Sequence, residues 1–335
     1  MAQPKTVLTG VKPTGTPHIG NLIGAIQPAL KMANATAGQC LFFIADYHAL
    51  TTIHDPKEMR SLTREVAATW LAFGLDPNKV LLYRQSDVPE VFELSWVLSC
   101  FAAKGLLNRA HAYKAAVDVN VENGKDPDKE IFMGLYCYPV LMAADILCFD
   151  ADEVPVGEDQ VQHLEIARDI AQKFNHTYGE VLRIPKATVQ EEGAYVPGLD
   201  GRKMSKSYGN TIPLSADSKR LRKLVMKIQT DSTAPEEPKD PDSSSLFSLY
   251  KLFAKPDQVE SLRQRYRTGI GWGDAKQLLF EAMEAELEKP RKIYEDYLAN
   301  PDQIETILAQ GALRAREKAA AVMERVRQAT GIANP

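Results

Sequence analysis

Residues 5–21, KTVLTGVKPTGTPHIGN, are the stretch on which the fold turns. Residues 5–9, KTVLT, read as a short β-strand that stops at Gly10. A turn rich in proline and glycine follows, and a helix begins near Ile19, where the small residues Gly20, Gly24 and Ala25 permit close packing on a sheet. A strand that passes through a tight loop into a helix is the opening unit of a parallel sheet with helices on its faces. In such sheets ligands collect at the carboxyl ends of the strands. The free N–H groups at the helix start suit a phosphate there. His18 and Asn21, three residues apart on the first turn, can reach one pocket. Gly20 lets a flat base approach the backbone. The loop is neither a G-x-G-x-x-G fingerprint nor a P-loop, and a plain turn with an N-cap is the bland alternative.

Outward from this unit the rhythm repeats. Residues 40–45, CLFFIA, make a second strand; Asp55 and Pro56 open a helix that runs to Gly74; residues 80–84, VLLYR, make a third strand; and helix resumes after Val88. Residues 100–150 break the alternation and read as a helical insertion. Within it, residues 131–149 (IFMGLYCYPVLMAADILCF) are as long as a membrane span, but Pro139 and Asp145 interrupt them. A buried helical hairpin beside the core is the better expectation. Residues 154–157 (VPVG) resume a strand and 159–174 a helix. From about Ser215 only amphipathic helices remain, with a Pro/Asp/Ser-rich loop at 234–245. The fold expected is α/β, a Rossmann-like doubly wound parallel sheet over residues 1–214 that includes the insertion, with a C-terminal all-helical domain over 215–335.

The 335 residues, 44% hydrophobic and 25% charged, describe an ordinary globular chain large enough for a substantial core. A net charge of −4 excludes a broadly basic surface but leaves room for a local phosphate-binding patch. Cys40, Cys100, Cys137 and Cys148 show no C-x-x-C spacing, and no secretory n-region opens the chain. Free thiols in a reducing cytoplasm are expected, with no zinc site.

Three further features carry chemistry. Residues 203–207, Lys203, Met204, Ser205, Lys206 and Ser207, follow the flexible run 198–201 (GLDG). Two ammonium groups on a loop can meet charge as it develops on a departing pyrophosphate, acting in the transition state more than in the ground state. Asp145 stands in an apolar helix beside Met142, Ala143 and Ala144, where a carboxylate needs a donor. An indole N–H would serve, and so would a neighbouring backbone N–H or arginine; the residues alone leave both open. Gly157, Glu158, Asp159 and Gln160 follow a strand and open a helix, again at the ligand edge, although acidic helix starts are also ordinary caps.

His18-Ile19-Gly20-Asn21, followed by Lys203-Met204-Ser205-Lys206-Ser207, resembles the HIGH and KMSKS signatures of class I aminoacyl-tRNA synthetases. Residues 10–15 (GVKPTG), 141–147 (LMAADIL), 154–160 (VPVGEDQ), 230–232 (TDS), Gly311-Ala312 and 315–317 (ARE) extend the resemblance over nearly the whole chain, and to the bacterial tryptophan-specific branch. Asn21 stands where the general signature has histidine, as in that branch. The resemblance implies ATP-dependent formation of an aminoacyl-adenylate and its transfer to tRNA(Trp), with Mg2+ accompanying ATP, no membrane association, and a homodimer joined through the catalytic domains. It implies His18, Asn21, Lys203 and Lys206 as catalytic residues. ATP is assigned to Lys12, Pro13, Thr14, Gly20, Asn21, Gly157, Glu158, Asp159 and residues 203–207. L-tryptophan is assigned to Asp145, Met142, His48 and Gln160. Lys12 replaces a glutamine of many relatives, and Leu8 and Ala45 replace larger residues, which changes the expected pocket shape. A tyrosine-specific cousin shares the signatures, but a phenol hydroxyl would call for both a donor and an acceptor. A sensor that retained the fold would have no need of the paired lysines. Two basic clusters are candidates for tRNA: Lys104, Arg109 and Lys114, and Arg314, Arg316, Lys318, Arg325 and Arg327.

Overall fold

The computed structural model describes residues 5–157, 160–189 and 195–332. One sheet of five parallel strands is built from β1 (Thr6–Val11), β2 (Gln39–Ile44), β3 (Val80–Arg84), β4 (Glu153–Val156) and β5 (Lys186–Val189). Their order across the sheet is β3-β2-β1-β4-β5. The chain therefore winds one way from β1 through β3 and then the other way through β4 and β5. The reversal between β1 and β4 is the switch point at which a crevice opens in doubly wound sheets.

Helical segments make every crossover. α1 (Ile19–Asn21), a π-turn (Leu22–Ile26) and α2 (Gln27–Ala35) link β1 to β2; α3 (Asp46–Ala49) and α4 (Pro56–Ala72) link β2 to β3. Asp55 caps α4, its carboxylate accepting from the Lys57 N–H at 2.7 Å, and Pro56 occupies the first turn, where no N–H is needed. Between β3 and β4 lie α5 (Pro89–Ser99), α6 (Lys104–Leu107), α7 (His111–Glu122) and α8 (Met133–Leu147); α9 (Val161–Tyr178) leads to β5. Then come α10 (Ser218–Met226), α11 (Ser245–Phe253), α12 (Pro256–Thr268), α13 (Trp272–Ala299) and α14 (Pro301–Thr330).

The strands are buried on both sides and alternate between two cores. Val7, Cys40, Phe42, Ile44, Val80 and Leu82 face one core with α4, α11 and α13. Leu8, Leu41, Phe43, Leu81 and Tyr83 face the other with α5, α8 and α9. α14 joins both: Ile304 and Leu308 belong to the first core, Ala315, Ala319, Val322 and Met323 to the second. Between these two sets lies Gly311, where a Cβ would sit 1.8 Å from the Leu82 carbonyl oxygen. The helix thus rides over the outer edge of β3 on a residue without a side chain.

Three expectations change. β1 continues through Gly10 to Val11, because parallel pairing of Gly10 with Phe43 and Val11 with Ile44 overrides the weak strand preference of glycine. Residues 131–149 hold a single helix, Met133–Leu147, and not a hairpin: Pro139 lies inside α8, and no glycine or Asx turn accompanies it to reverse the chain. The buried half of α8 runs from Pro139 to Leu147, whereas Phe132 and Met133 are exposed. β5, whose four residues KATV give little alternation to read, is a strand beyond those anticipated. Among the described residues no helix is long and apolar enough to cross a membrane.

Candidate active site

At the switch point a cavity of about 930 Å³ opens over the carboxyl end of β1. Leu8, Thr9, Gly10 and Val11 form its floor, Val154, Pro155, Val156 and Gly157 one wall, and Gly24 and Ala25 of the π-turn another. A π-turn advances the backbone by an extra residue per turn; here its inner residues are the two small ones, which keep the space open. α8 contributes Leu135, Tyr138, Met142, Asp145 and Ile146, and α7 contributes Ala112, so the insertion roofs the cavity. Gly10 is obligatory in this arrangement, since a Cβ would lie 2.4 Å from the Phe43 ring.

Asp145 lines this cavity and is only 2% exposed. Among the described residues neither a backbone N–H nor an arginine meets it. His48 Nε2 lies 2.8 Å from Oδ2, and the Gln85 side-chain amide donates to Oδ1 at 2.7 Å. Burial pushes its carboxyl above the usual range, and the hydrogen bonds from His48 and Gln85 pull it back. Each carboxylate oxygen has a second lone pair, so the group can still accept from a ligand in the cavity it lines.

Three lysines gather at and beside the same cavity. Lys203 lines the cavity, and Lys12 enters from β1, donating to Thr51 Oγ1 at 2.9 Å; its ammonium is desolvated and its pKa lowered. Lys206 crosses to the first loop and donates to the carbonyls of Thr14 (3.1 Å) and Gly15 (2.8 Å). Its pKa is lowered by desolvation, opposed by Glu65. Gly15 has φ +110°, a conformation that costs glycine little. Met204 is buried, with its sulfur 3.3 Å from the Gly20 N–H. The Ser205 and Ser207 hydroxyls lie 2.8 Å apart. The two signature segments, far apart in sequence, are therefore in direct contact.

His18 is buried beneath this contact, its ring against Gly20. Burial, then the charge of Lys206, lowers its pKa to about 4, so the imidazole is neutral near pH 7. Its Nδ1 has no hydrogen-bond partner among the described residues. Asn21 accepts from the His18 N–H at 3.1 Å and so caps its own helix. Of the residues singled out by sequence, Lys12, His48, Met142, Asp145, Gly157, Gln160 and Lys203 line the one cavity. His18, Asn21, Pro13, Thr14, Gly20, Met204, Ser205, Lys206 and Ser207 form the adjoining shelf where the two loops meet. Glu158 and Asp159 lie outside the described residues.

Sequence reading missed Gln85, Tyr138 and Thr51. Gln85 directly follows the carboxyl end of β3, so the same edge rule that picked out His18 and Gly157 could have found it. Tyr138 lies one α-helical face from Asp145 and Met142, contacting His163 behind the cavity. Of the second basic cluster, Arg316 pairs with Glu90, Arg325 with Asp150 and Arg327 with Glu93, at 2.7–3.0 Å. These three guanidinium groups fasten α14 to the rest of the protein.

The family model for class I tRNA synthetases (W and Y) matches residues 1–288. A tryptophan–tRNA ligase of Pseudomonas putida is 53% identical over 97% of this chain and 73% of its own length. One from Neisseria meningitidis is 52% identical over 98% of both chains. Among solved structures, the tryptophanyl-tRNA synthetase of Campylobacter jejuni, complexed with ADP and tryptophan, superposes with a TM-score of 0.90 at 44% identity, covering 97% of this chain and 99% of that one.

Proposed function

The chain belongs to the class I tRNA synthetases of the tryptophan and tyrosine type, and from that we infer that it attaches L-tryptophan to tRNA(Trp) in an ATP-dependent reaction. Tryptophan and ATP form tryptophanyl-adenylate and pyrophosphate; the adenylate then acylates the terminal ribose of the tRNA, releasing AMP. The observation that carries this reading is that one cavity is lined both by the buried carboxylate Asp145 and by the ammonium-bearing Lys12 and Lys203. An indole N–H set against Asp145 places the amino-acid carboxylate toward β1, where the α-phosphate must also come. The chemistry needs no covalent nucleophile, only alignment of carboxylate and phosphorus and compensation of the charge that builds on pyrophosphate. Lys203 and Lys206 supply that compensation from a loop already touching residues 14 and 15. Neutral His18 hydrogen-bonds without adding charge. Gln160 and His48 line the amino-acid end, with Glu158 and Asp159 assigned to the ribose side. Mg2+ enters with ATP as part of the substrate.

Tyrosine is the nearest competing substrate. The carboxylate already takes the donors of His48 and Gln85, so a phenol hydroxyl could donate to it but would find neither of them free to donate to its oxygen. A ligand that only donates fits the pair as it stands. Tryptophan-dependent ATP–pyrophosphate exchange, run beside tyrosine and followed by charging of tRNA with all twenty amino acids, tests the assignment; exchange driven by tyrosine would overturn it.

A homodimer is supported by apolar side chains left exposed on two helices that pack on each other, Phe92 and Trp96 on α5 and Phe132 and Met133 at the start of α8, Trp96 and Phe132 by 74%. Lys104, Arg109 and Lys114 lie on α6, α7 and their connection, beside the cavity roof that Ala112 forms, and suit the acceptor end of the tRNA. The C-terminal helices are assigned to the anticodon. We assign the protein to the cytoplasm, a reading that the four free thiols support.

A further inference from the structure

The lysine loop is held from behind by a buried amide. Asn210 is 3% exposed and lies three residues beyond Ser207. Its Oδ1 accepts from the Ser205 N–H at 2.8 Å, and its Nδ2 donates to the Lys203 carbonyl at 3.2 Å and to Asp200 Oδ1 at 2.7 Å. The two loop peptides it grips flank Met204, so one side chain fixes the backbone from Lys203 to the residue before Lys206. Asp200 is itself tied down: its Oδ2 accepts from Arg202 Nε at 2.7 Å, and the Arg202 guanidinium lies 4.4 Å over the Tyr208 ring. The Asn210 carbonyl closes the circuit by accepting from the Leu199 N–H at 2.9 Å. Gly198 makes room, since a Cβ there would fall 2.3 Å from the Asn210 amide carbon.

We propose that Asn210, oriented by Asp200, is the positioning residue that sets the two lysines for the departing pyrophosphate. Among the described residues Asn210 hydrogen-bonds to neither lysine side chain and does not itself line the cavity; it holds Lys203 only by its carbonyl, so its effect passes through the loop backbone. It belongs to the step in which charge develops, and tryptophan binding at Asp145 does not depend on it. The proposal rests on the assignment of Lys203 and Lys206 made above.

The test is single-turnover formation of tryptophanyl-adenylate, with tryptophan affinity measured separately by equilibrium binding. Asn210→Ala should slow adenylate formation by roughly 10–100-fold while leaving tryptophan affinity within about threefold. Asn210→Asp keeps the acceptor for Ser205 but sets two carboxylates together, and should be slower than the parent by a similar factor. Adding Asp200→Asn restores a donor between positions 200 and 210 and should recover a large part of the rate. Asp200→Ala, with Asn210 left in place, covers the case in which the Asn210 variants fail to fold, and should slow adenylate formation in the same sense with tryptophan affinity kept. An unaltered rate in Asn210→Ala, in an enzyme that Lys206→Ala does slow, would overturn the positioning role. So would equal losses in rate and affinity, or no recovery in the double variant. If Lys203→Ala and Lys206→Ala both form adenylate at the parent rate, the lysine assignment itself is what fails.

Discussion

Replacing Asp145 with alanine separates a substrate-reading carboxylate from a structural one. In the resting protein the carboxylate satisfies His48 and Gln85 at 2.8 and 2.7 Å, nearly sealed from water. Truncation strands both donors, and each buried unmet group costs about 1–3 kcal/mol, so the melting temperature must fall. That loss is blind to the substrate. A hydrogen bond from the indole N–H to a buried carboxylate adds about 3 kcal/mol that only tryptophan uses, or ~100-fold in kcat/KM. Phenylalanine has no N–H to lose. The assay is ATP–pyrophosphate exchange at saturating ATP with tryptophan, tyrosine and phenylalanine, on Asp145→Ala and on Gln85→Met, which keeps the carboxylate. Asp145→Ala should lower the tryptophan-to-phenylalanine ratio by ~100-fold with the ATP KM nearly unchanged; Gln85→Met should lower it by roughly tenfold at most. A ratio equal to the parent's, in an enzyme whose melting temperature has dropped, would mean that Asp145 holds His48 and Gln85 in place and reads nothing.

Lys206→Ala should cut the single-turnover rate of adenylate formation by about 100-fold while tryptophan affinity holds, as for the loss of one electrostatic donor; a defect confined to affinity would refute this. The His18 imidazole should show no titration by NMR between pH 5.5 and 8, because its pKa is about 4. In Lys206→Ala that pKa should rise without reaching 6.5, since burial is the larger cause. The unfolded chain takes up the proton first, so stability is full above pH 6.5 and falls as pH drops through about 4, by at most ~3 kcal/mol. Alanine at Lys104, Arg109 and Lys114 should flatten the salt dependence of tRNA binding by nearly one unit per lost phosphate contact and spare pyrophosphate exchange. Alanine at Arg316, Arg325 and Arg327 should lower the melting temperature and leave that slope alone, and a flattened slope would show that their ion pairs open for tRNA. Gly311→Ala should destabilise the protein by several kcal/mol, measured by denaturant unfolding, because the added carbon has nowhere to go.

The parallel sheet was legible because its strands are short apolar runs with helices between them, and β3 falls on the residues its pattern marks. Gly10 misled because local preference says nothing about a neighbour such as Phe43 that needs the missing side chain. The hairpin expected around Pro139 failed for a related reason: an interior proline marks a lost hydrogen bond and does not by itself supply a turn. Asp145 stood out as a carboxylate in an apolar helix, but its partners come from β2–α3 and from the end of β3, and no spacing in the sequence joins them. The contact of Lys206 with residues 14 and 15 is likewise a product of the folded chain alone. The basic cluster on α14 read as a candidate for tRNA, where the structure has Arg316, Arg325 and Arg327 bound to carboxylates of other elements.

The passage of α14 over β3 has a consequence for how the protein is made. β3 is complete at residue 84, but the glycine that seats its cover is residue 311. At about 5–20 residues per second, a translating ribosome needs roughly 10 to 45 s to span that gap. Throughout it the outer backbone of β3 offers unpaired hydrogen-bonding groups to any other extended chain. Newly made copies on one messenger are close neighbours in that interval, so strand-to-strand adhesion competes with completion of the fold. Substitutions that loosen α14, Gly311→Ala foremost, should therefore reduce the yield of soluble protein more sharply than they reduce the turnover of the molecules that do fold.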